Sequence, residues 1–80
     1  MTPFYRAVDA RSLGSAISDA RKEAGLTQQD MAGQLKVTRG IIVRLERGDA
    51  VSLVVAMQAI RILGRDVALV PRFSKLQVRP

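Results

Sequence analysis

Apolar residues recur along the chain at three- and four-residue steps, broken by short polar stretches that hold Ser, Thr or Gly, and this rhythm predicts four helices. The first is expected to begin after Ser12 as N-cap and to run to about residue 24, with Leu13, Ile17, Ala20 and Ala24 on one stripe. Gly25 follows where a left-handed C-cap is wanted. Thr27 caps the second, with Asp30 at the third helical position able to reach back to the cap, and this helix ends near Leu35. Thr38 caps a third helix through about Arg47, closed by Gly48, and Ser52 a fourth through Leu63, closed by Gly64. After Gly64 the rhythm changes to Arg-Asp-Val-Ala-Leu-Val-Pro, a β-branched and aliphatic run that reads as a short strand over 66–70. A lone strand cannot satisfy its backbone, so it is expected to pair with residues 4–8 or with the same strand of a second subunit. The ends, residues 1–10 and 72–80, show weak periodicity and are expected to be mobile unless a partner holds them.

Helices two and three are joined only by Lys36-Val37-Thr38, the spacing of a helix-turn-helix. Ala32 is small where the two helices must approach, Val37 plugs the turn, and Ile42 with Leu45 turns apolar groups toward Met31 and Leu35. Arg39, Gly40, Val43, Arg44 and Arg47 are left facing outward. Outward bases at the start of such a helix suit a DNA major groove, whose base edges meet its N-terminal residues. Helix four departs from the others. Beside a core stripe of Leu53, Met57 and Ile60 it carries Val54, Val55, Ala59 and Ile62 on other faces, which calls for burial on both sides. One small domain cannot supply that, so a twofold dimer through helix four and the strand is expected, with Val54, Val55, Ile62, Val67 and Leu69 at its interface.

Charge sharpens this picture. Residues 1–35 hold four bases and four acids, whereas the remainder holds nine bases against Glu46, Asp49 and Asp66, so the whole net charge of +6 begins at Lys36. That is the footprint of a nucleic-acid binder, and equally of a protein that meets an acidic partner. The 80 residues contain no Cys and no His. Disulfides, Cys/His zinc sites and Cys or His nucleophile and base chemistry are therefore excluded. With scattered acids and no glycine-rich phosphate loop after a strand, no enzyme, metal or cofactor is expected. There is neither a signal peptide pattern nor a membrane-spanning run, which makes a cytoplasmic protein the default. The whole of residues 1–80 is read as one domain with its core at about 12–71.

The stretch LGSAISDARKEAGLTQQDMAGQLKVTRGIIVRLERG carries the frame L-x(3)-I-x(3)-R-x(3)-GLTQ-x(3)-A-x(4)-V-T-x(3)-I-x(2)-L-E-x-G. In this it resembles the Cro/CI or XRE family of helix-turn-helix DNA-binding proteins, and LGRDVALVPR resembles the terminal strand of that family's HipB-type antitoxins. The likeness spans residues 13–71. It implies an all-α, lambda-repressor-like four-helix domain with a terminal strand pairing in a dimer. It further implies that Gln28 bonds a phosphate and braces the recognition helix, that Thr38 touches phosphate, that Arg39 reads a base, that Gly40 and Val43 lie on the groove floor, and that Arg44 serves either role. Arg47 and Lys36 join this set as further basic contacts, although Lys36 is as readily a solvated turn lysine. Arg21 and Glu46 are implied to form an ion pair between helices one and three. The partners expected are a palindromic operator in double-stranded DNA, a second copy of the chain and a HipA-like kinase toxin. A free-standing XRE-type regulator and a protein adaptor that never touches DNA are the alternatives. Two positions depart from the family: Lys36 stands where glycine is usual in a left-handed turn, at a cost of about 1 kcal/mol, and Gly40 inside a helix costs about 1 kcal/mol relative to alanine.

Overall fold

Asp9 and Thr27 each stand three residues before a side chain that can reach back, and both start helices in the computed structural model, which describes residues 4–72. Four helices form: α1 (Ala10–Glu23), α2 (Gln28–Leu35), α3 (Arg39–Arg47) and α4 (Leu53–Ile62). The first starts earlier than its apolar stripe suggests. Asp9, not Ser12, is the cap: its carboxylate accepts from the Ser12 amide at 2.7 Å while the Ser12 hydroxyl accepts from the Asp9 amide at 3.1 Å. At α2 the same exchange joins Thr27 and Asp30, with the Asp30 amide at 3.0 Å from the Thr27 hydroxyl and the Thr27 amide at 2.8 Å from the carboxylate. Those bonds hold the Asp30 carboxyl below its ordinary range. Thr38 and Ser52 occupy the cap positions of α3 and α4, yet neither side chain bonds the helix end.

All four helices finish in one way, with two crossed backbone bonds closing over a left-handed residue. These are Leu26 to Arg21 with Gly25 to Lys22, Val37 to Ala32 with Lys36 to Gly33, Asp49 to Arg44 with Gly48 to Leu45, and Arg65 to Ile60 with Gly64 to Arg61. Three of the left-handed residues are glycine; the fourth is Lys36, at φ 57° and ψ 43°. The turn between α2 and α3 therefore keeps its geometry without glycine, and the strain of a Cβ is retained in it.

The core gathers Ile17 and Ala20 of α1, Met31 and Ala32 of α2, Ile42 and Leu45 of α3, and Ala56, Ala59 and Ile60 of α4. Leu35 and Val37 pack on its edge. Helix α4 is rotated from the expected register. Leu53 is 75% exposed and Met57 lies at the surface, whereas Ala59, expected on another face, is fully buried. Ala56 and Ala59 share the inner face with Ile60, and Leu53, Val54 and Met57 are turned outward. Ala24 is likewise exposed, since α1 ends one residue before it.

The strand expected over 66–70 does not form within one chain: among the described residues no backbone ladder is present, and 65–71 run without regular hydrogen bonding. The physical reason is the absence of a neighbour in register, since a strand exists only by pairing. Residues 4–8 reach this segment by side chains instead, as Arg6 Nη2 donates to the carbonyl of Arg72 at 3.3 Å. The expected mobility of residues 1–3 and 73–80 lies outside the described residues. No helix among those described is long and apolar enough to cross a membrane.

Candidate DNA-binding face

A short helix can present a reading face only if its other face is held, and α3 is held by both apolar and polar means. Ile42 and Leu45 sink into the core, which turns Arg39, Gly40, Arg44 and Arg47 to the surface and leaves Val43 half-buried between them. At the far end of α3, Glu46 is the centre of a polar brace. Arg21 Nε donates to its Oε2 at 2.7 Å and Arg21 Nη2 to its Oε1 at 3.1 Å, a two-pronged pair whose side chains are only 9% and 6% exposed. Arg21 Nη1 also donates to the Leu26 carbonyl at 2.7 Å, and Gln28 Nε2 donates to Glu46 Oε1 at 3.1 Å. Three helices thus meet on one carboxylate. Burial by itself would raise the Glu46 carboxyl, but the bonds from Arg21 and Gln28 and the Arg21 charge outweigh it and leave it below the ordinary carboxylate range.

The same region contains a contact that apolar periodicity does not reveal. A Cβ on Gly14 would lie 2.5 Å from the Leu45 carbonyl oxygen and 2.6 Å from that of Glu46, and one on Gly48 would lie 2.6 Å from the Cα of Arg11. Backbone therefore touches backbone where α1 crosses the end of α3. The available signal was position: Gly14 falls on the same face of α1 as Ile17 and Arg21.

Toward its start, α3 opens onto a shallow cleft shared with α1 and α2, lined among others by Lys22, Thr27, Gln28, Gln29 and Arg39. Gln28 and Arg39 are thereby brought together, with Thr38 at the start of α3 and Lys36 exposed on the turn beside it. The Gln28 amide is oriented by Glu46, so this residue joins α2 to α3. The three arginines of α3 are not equivalent. Arg44 Nη2 donates to the Ala50 carbonyl at 2.7 Å, and Arg47 lies 3.9 Å from the Asp49 carboxylate, so both lean toward the loop after the helix. Among the described residues Arg39 makes no hydrogen bond or ion pair. A Cβ placed on Gly40 would meet the Thr38 hydroxyl at 3.8 Å, so nothing among the described residues requires glycine there.

The arrangement of two helices across a tight turn, with the second held from behind and basic on its outer side, defines a helix-turn-helix domain. The chain belongs to the helix-turn-helix family, whose sequence pattern matches residues 17–70, and within it to the XRE type of transcriptional regulator. It is 45% identical over 51 residues to an uncharacterized HTH-type transcriptional regulator of Methanothermobacter thermautotrophicus, a match covering 62% of this chain and 74% of the relative. In three dimensions it is similar to HipB in a complex of a HipB variant with an O2 20mer, at a TM-score of 0.78 with 20% identity, over 88% of this chain and 99% of the other. It is also similar to a chain of a HipA-HipB-O2-O3 complex, at a TM-score of 0.76 with 20% identity, over 86% and 99%. At that identity the likeness to HipB is one of fold.

Proposed function

We propose that this protein is a cytoplasmic, sequence-specific repressor that binds a palindromic operator in double-stranded DNA as a homodimer and blocks transcription by occupying the site. The observation that carries this reading is the placement of Arg39: uncommitted among the described residues, at the first turn of an α3 whose opposite face and far end are fixed. A long planar guanidinium there matches the O6 and N7 of guanine. Gln28 and Thr38 flank it as phosphate contacts, Gly40 and Val43 lie against the groove, and Lys36, Arg44 and Arg47 add charge along the backbone. Val54 and Val67, both largely exposed, with Val55, Ile62 and Leu69, form the surface between two copies. Two recognition helices would then sit about 34–36 Å apart, one turn of DNA.

The fold shared with HipB supports a finer reading, in which the protein is the antitoxin of a HipA/HipB-type pair that also neutralises a kinase toxin and regulates its own operon. The alternative is a free-standing regulator of the XRE type. Purifying the native protein with its bound partners separates the two: a HipA-like kinase in stoichiometric amount supports the antitoxin, and its absence the free regulator. DNA reading is tested by titrating Arg39→Ala and the parent against the chain's own upstream region and against random duplex at several salt concentrations. Loss of about 1 to 3 kcal/mol on the specific duplex alone is expected, with preference relaxed at one base pair per half-site. An equal loss on both duplexes would make Arg39 an anchor, and a parent that binds neither would favour an adaptor of acidic proteins.

A further inference from the structure

The segment 65–72 has no ladder of its own, yet it is fastened at both ends by the opposite terminus of the chain. At the near end, the Arg65 guanidinium lies 4.9 Å from the centroid of the Tyr5 ring and 3.5 Å from Glu23 Oε2, and the Tyr5 hydroxyl donates to that same oxygen. At the other end Arg6 donates to the Arg72 carbonyl. Beneath the Tyr5 ring a cavity of about 80 Å³ opens on Leu13, Ile17, Ala20, Ile60 and Leu63, so Tyr5 and Arg65 together roof the seam between α1 and α4. Between the two fastenings, Val67 is 51% and Leu69 96% exposed. An apolar segment pinned at its ends, with its side chains facing water, is a segment presented for contact.

We propose that residues 4–8 form a latch that holds 65–72 in place for docking with a second copy of this chain. The inference rests on the homodimer reading. Its physical content is preorganisation: a free tail must lose its conformational entropy on association, whereas a latched tail has lost much of it already. The cation over the ring and the shared carboxylate place this control on Tyr5 and Glu23, at the side of α1 remote from the Glu46 brace. Anything that removes or seizes the first residues would therefore lower dimerisation, and with it operator occupancy, while leaving the reading helix untouched.

The test measures heteronuclear NOE of the backbone amides of 66–70 in the full chain across a dilution series, together with self-association by sedimentation. In the parent at the dilute end these amides should be nearly as rigid as α4. Tyr5→Ala should make them mobile with helix content unchanged and weaken self-association about tenfold, by the entropy then paid on docking. Tyr5→Phe, which keeps the ring under Arg65 and loses the hydroxyl, should fall between, and Arg6→Ala should loosen only the end near Arg72. Equal tail rigidity in the parent, Tyr5→Ala and Glu23→Gln would overturn the latch. Should Tyr5→Ala fail to fold, Glu23→Gln and Arg6→Ala decide the same point. A parent that is monomeric at every concentration would end the dimer reading, and the contrast in tail rigidity would still decide the latch.

Discussion

The two halves of this molecule treat their surfaces in opposite ways. Around α1 to α3 polar groups are closed on one another: carboxylates face their own helix amides, and Arg21, Gln28 and Glu46 satisfy one another almost out of reach of water. Along α4 and the segment after it, large apolar side chains are left in water, with Leu53, Val54, Met57, Val67, Leu69 and Val70 all exposed. The first half satisfies its own polar groups, and the second leaves apolar surface uncovered. Closed polar bonding lies behind the proposed reading helix, and uncovered apolar surface lies where a second copy is proposed to dock.

The sharpest way to break this contrast is at the brace. Arg21→Met should lower stability by about 3 to 5 kcal/mol, because Glu46 is then left buried without its partner; thermal melting read against the parent checks it. The pair also sets a pH limit. Since the folded Glu46 carboxyl titrates below its ordinary range, its contribution is fully present above the unfolded value and is lost as pH falls through the folded one. Acid unfolding of the parent should thus be steeper than that of Glu46→Gln over that range. Gly14→Ala should cost about 1 to 3 kcal/mol, because the added methyl meets two carbonyl oxygens of α3 that are backbone and cannot swing aside. Denaturant titration with an unchanged slope is the measurement.

A smaller effect of opposite sign is expected at the turn. Lys36→Gly should stabilise by roughly 0.5 to 1 kcal/mol, the relief of a left-handed Cβ less the added freedom of the unfolded chain. The smallest effect on folding belongs to the other half: Leu53→Asp should change the melting of the dilute protein by less than about 0.5 kcal/mol, as for most surface positions. A large loss there would show α4 to be covered even in one chain and would dissolve the contrast between the halves.

Much of the helical frame was legible because its signals are local. Caps, apolar steps and the three-residue turn reside in neighbouring residues, and the Thr27/Asp30 exchange is visible as a spacing. What was misread depended on distance or on competition. Asp9 displaced Ser12 as cap because a carboxylate and a hydroxyl three residues apart serve each other, and the apolar stripe begins later than the helix. Ile60 is inside as expected, but Leu53 and Met57 are not, because a helix apolar on most sides offers no contrast from which to choose its inner face. The strand over 66–70 needs a partner whose presence no single chain encodes. In the site, the outward bases of α3 could be read from periodicity, whereas the backbone contact at Gly14 arises only when remote segments meet.

That contact makes α3 a cantilever. Its far end is fixed where Gly14 and Gly48 let two main chains touch, and Ile42 and Leu45 seat the rest of it on the core, with Arg39 at the opposite end. With 9 residues its length is roughly 13 Å, so a tilt of about 5° at the base moves the tip by roughly 1 Å. A guanidinium displaced by that amount no longer meets both acceptors of a base at hydrogen-bonding distance. On the proposed reading, discrimination between operators would depend on a joint at the opposite end of α3 from Arg39, where Gly14 and Gly48 set the angle.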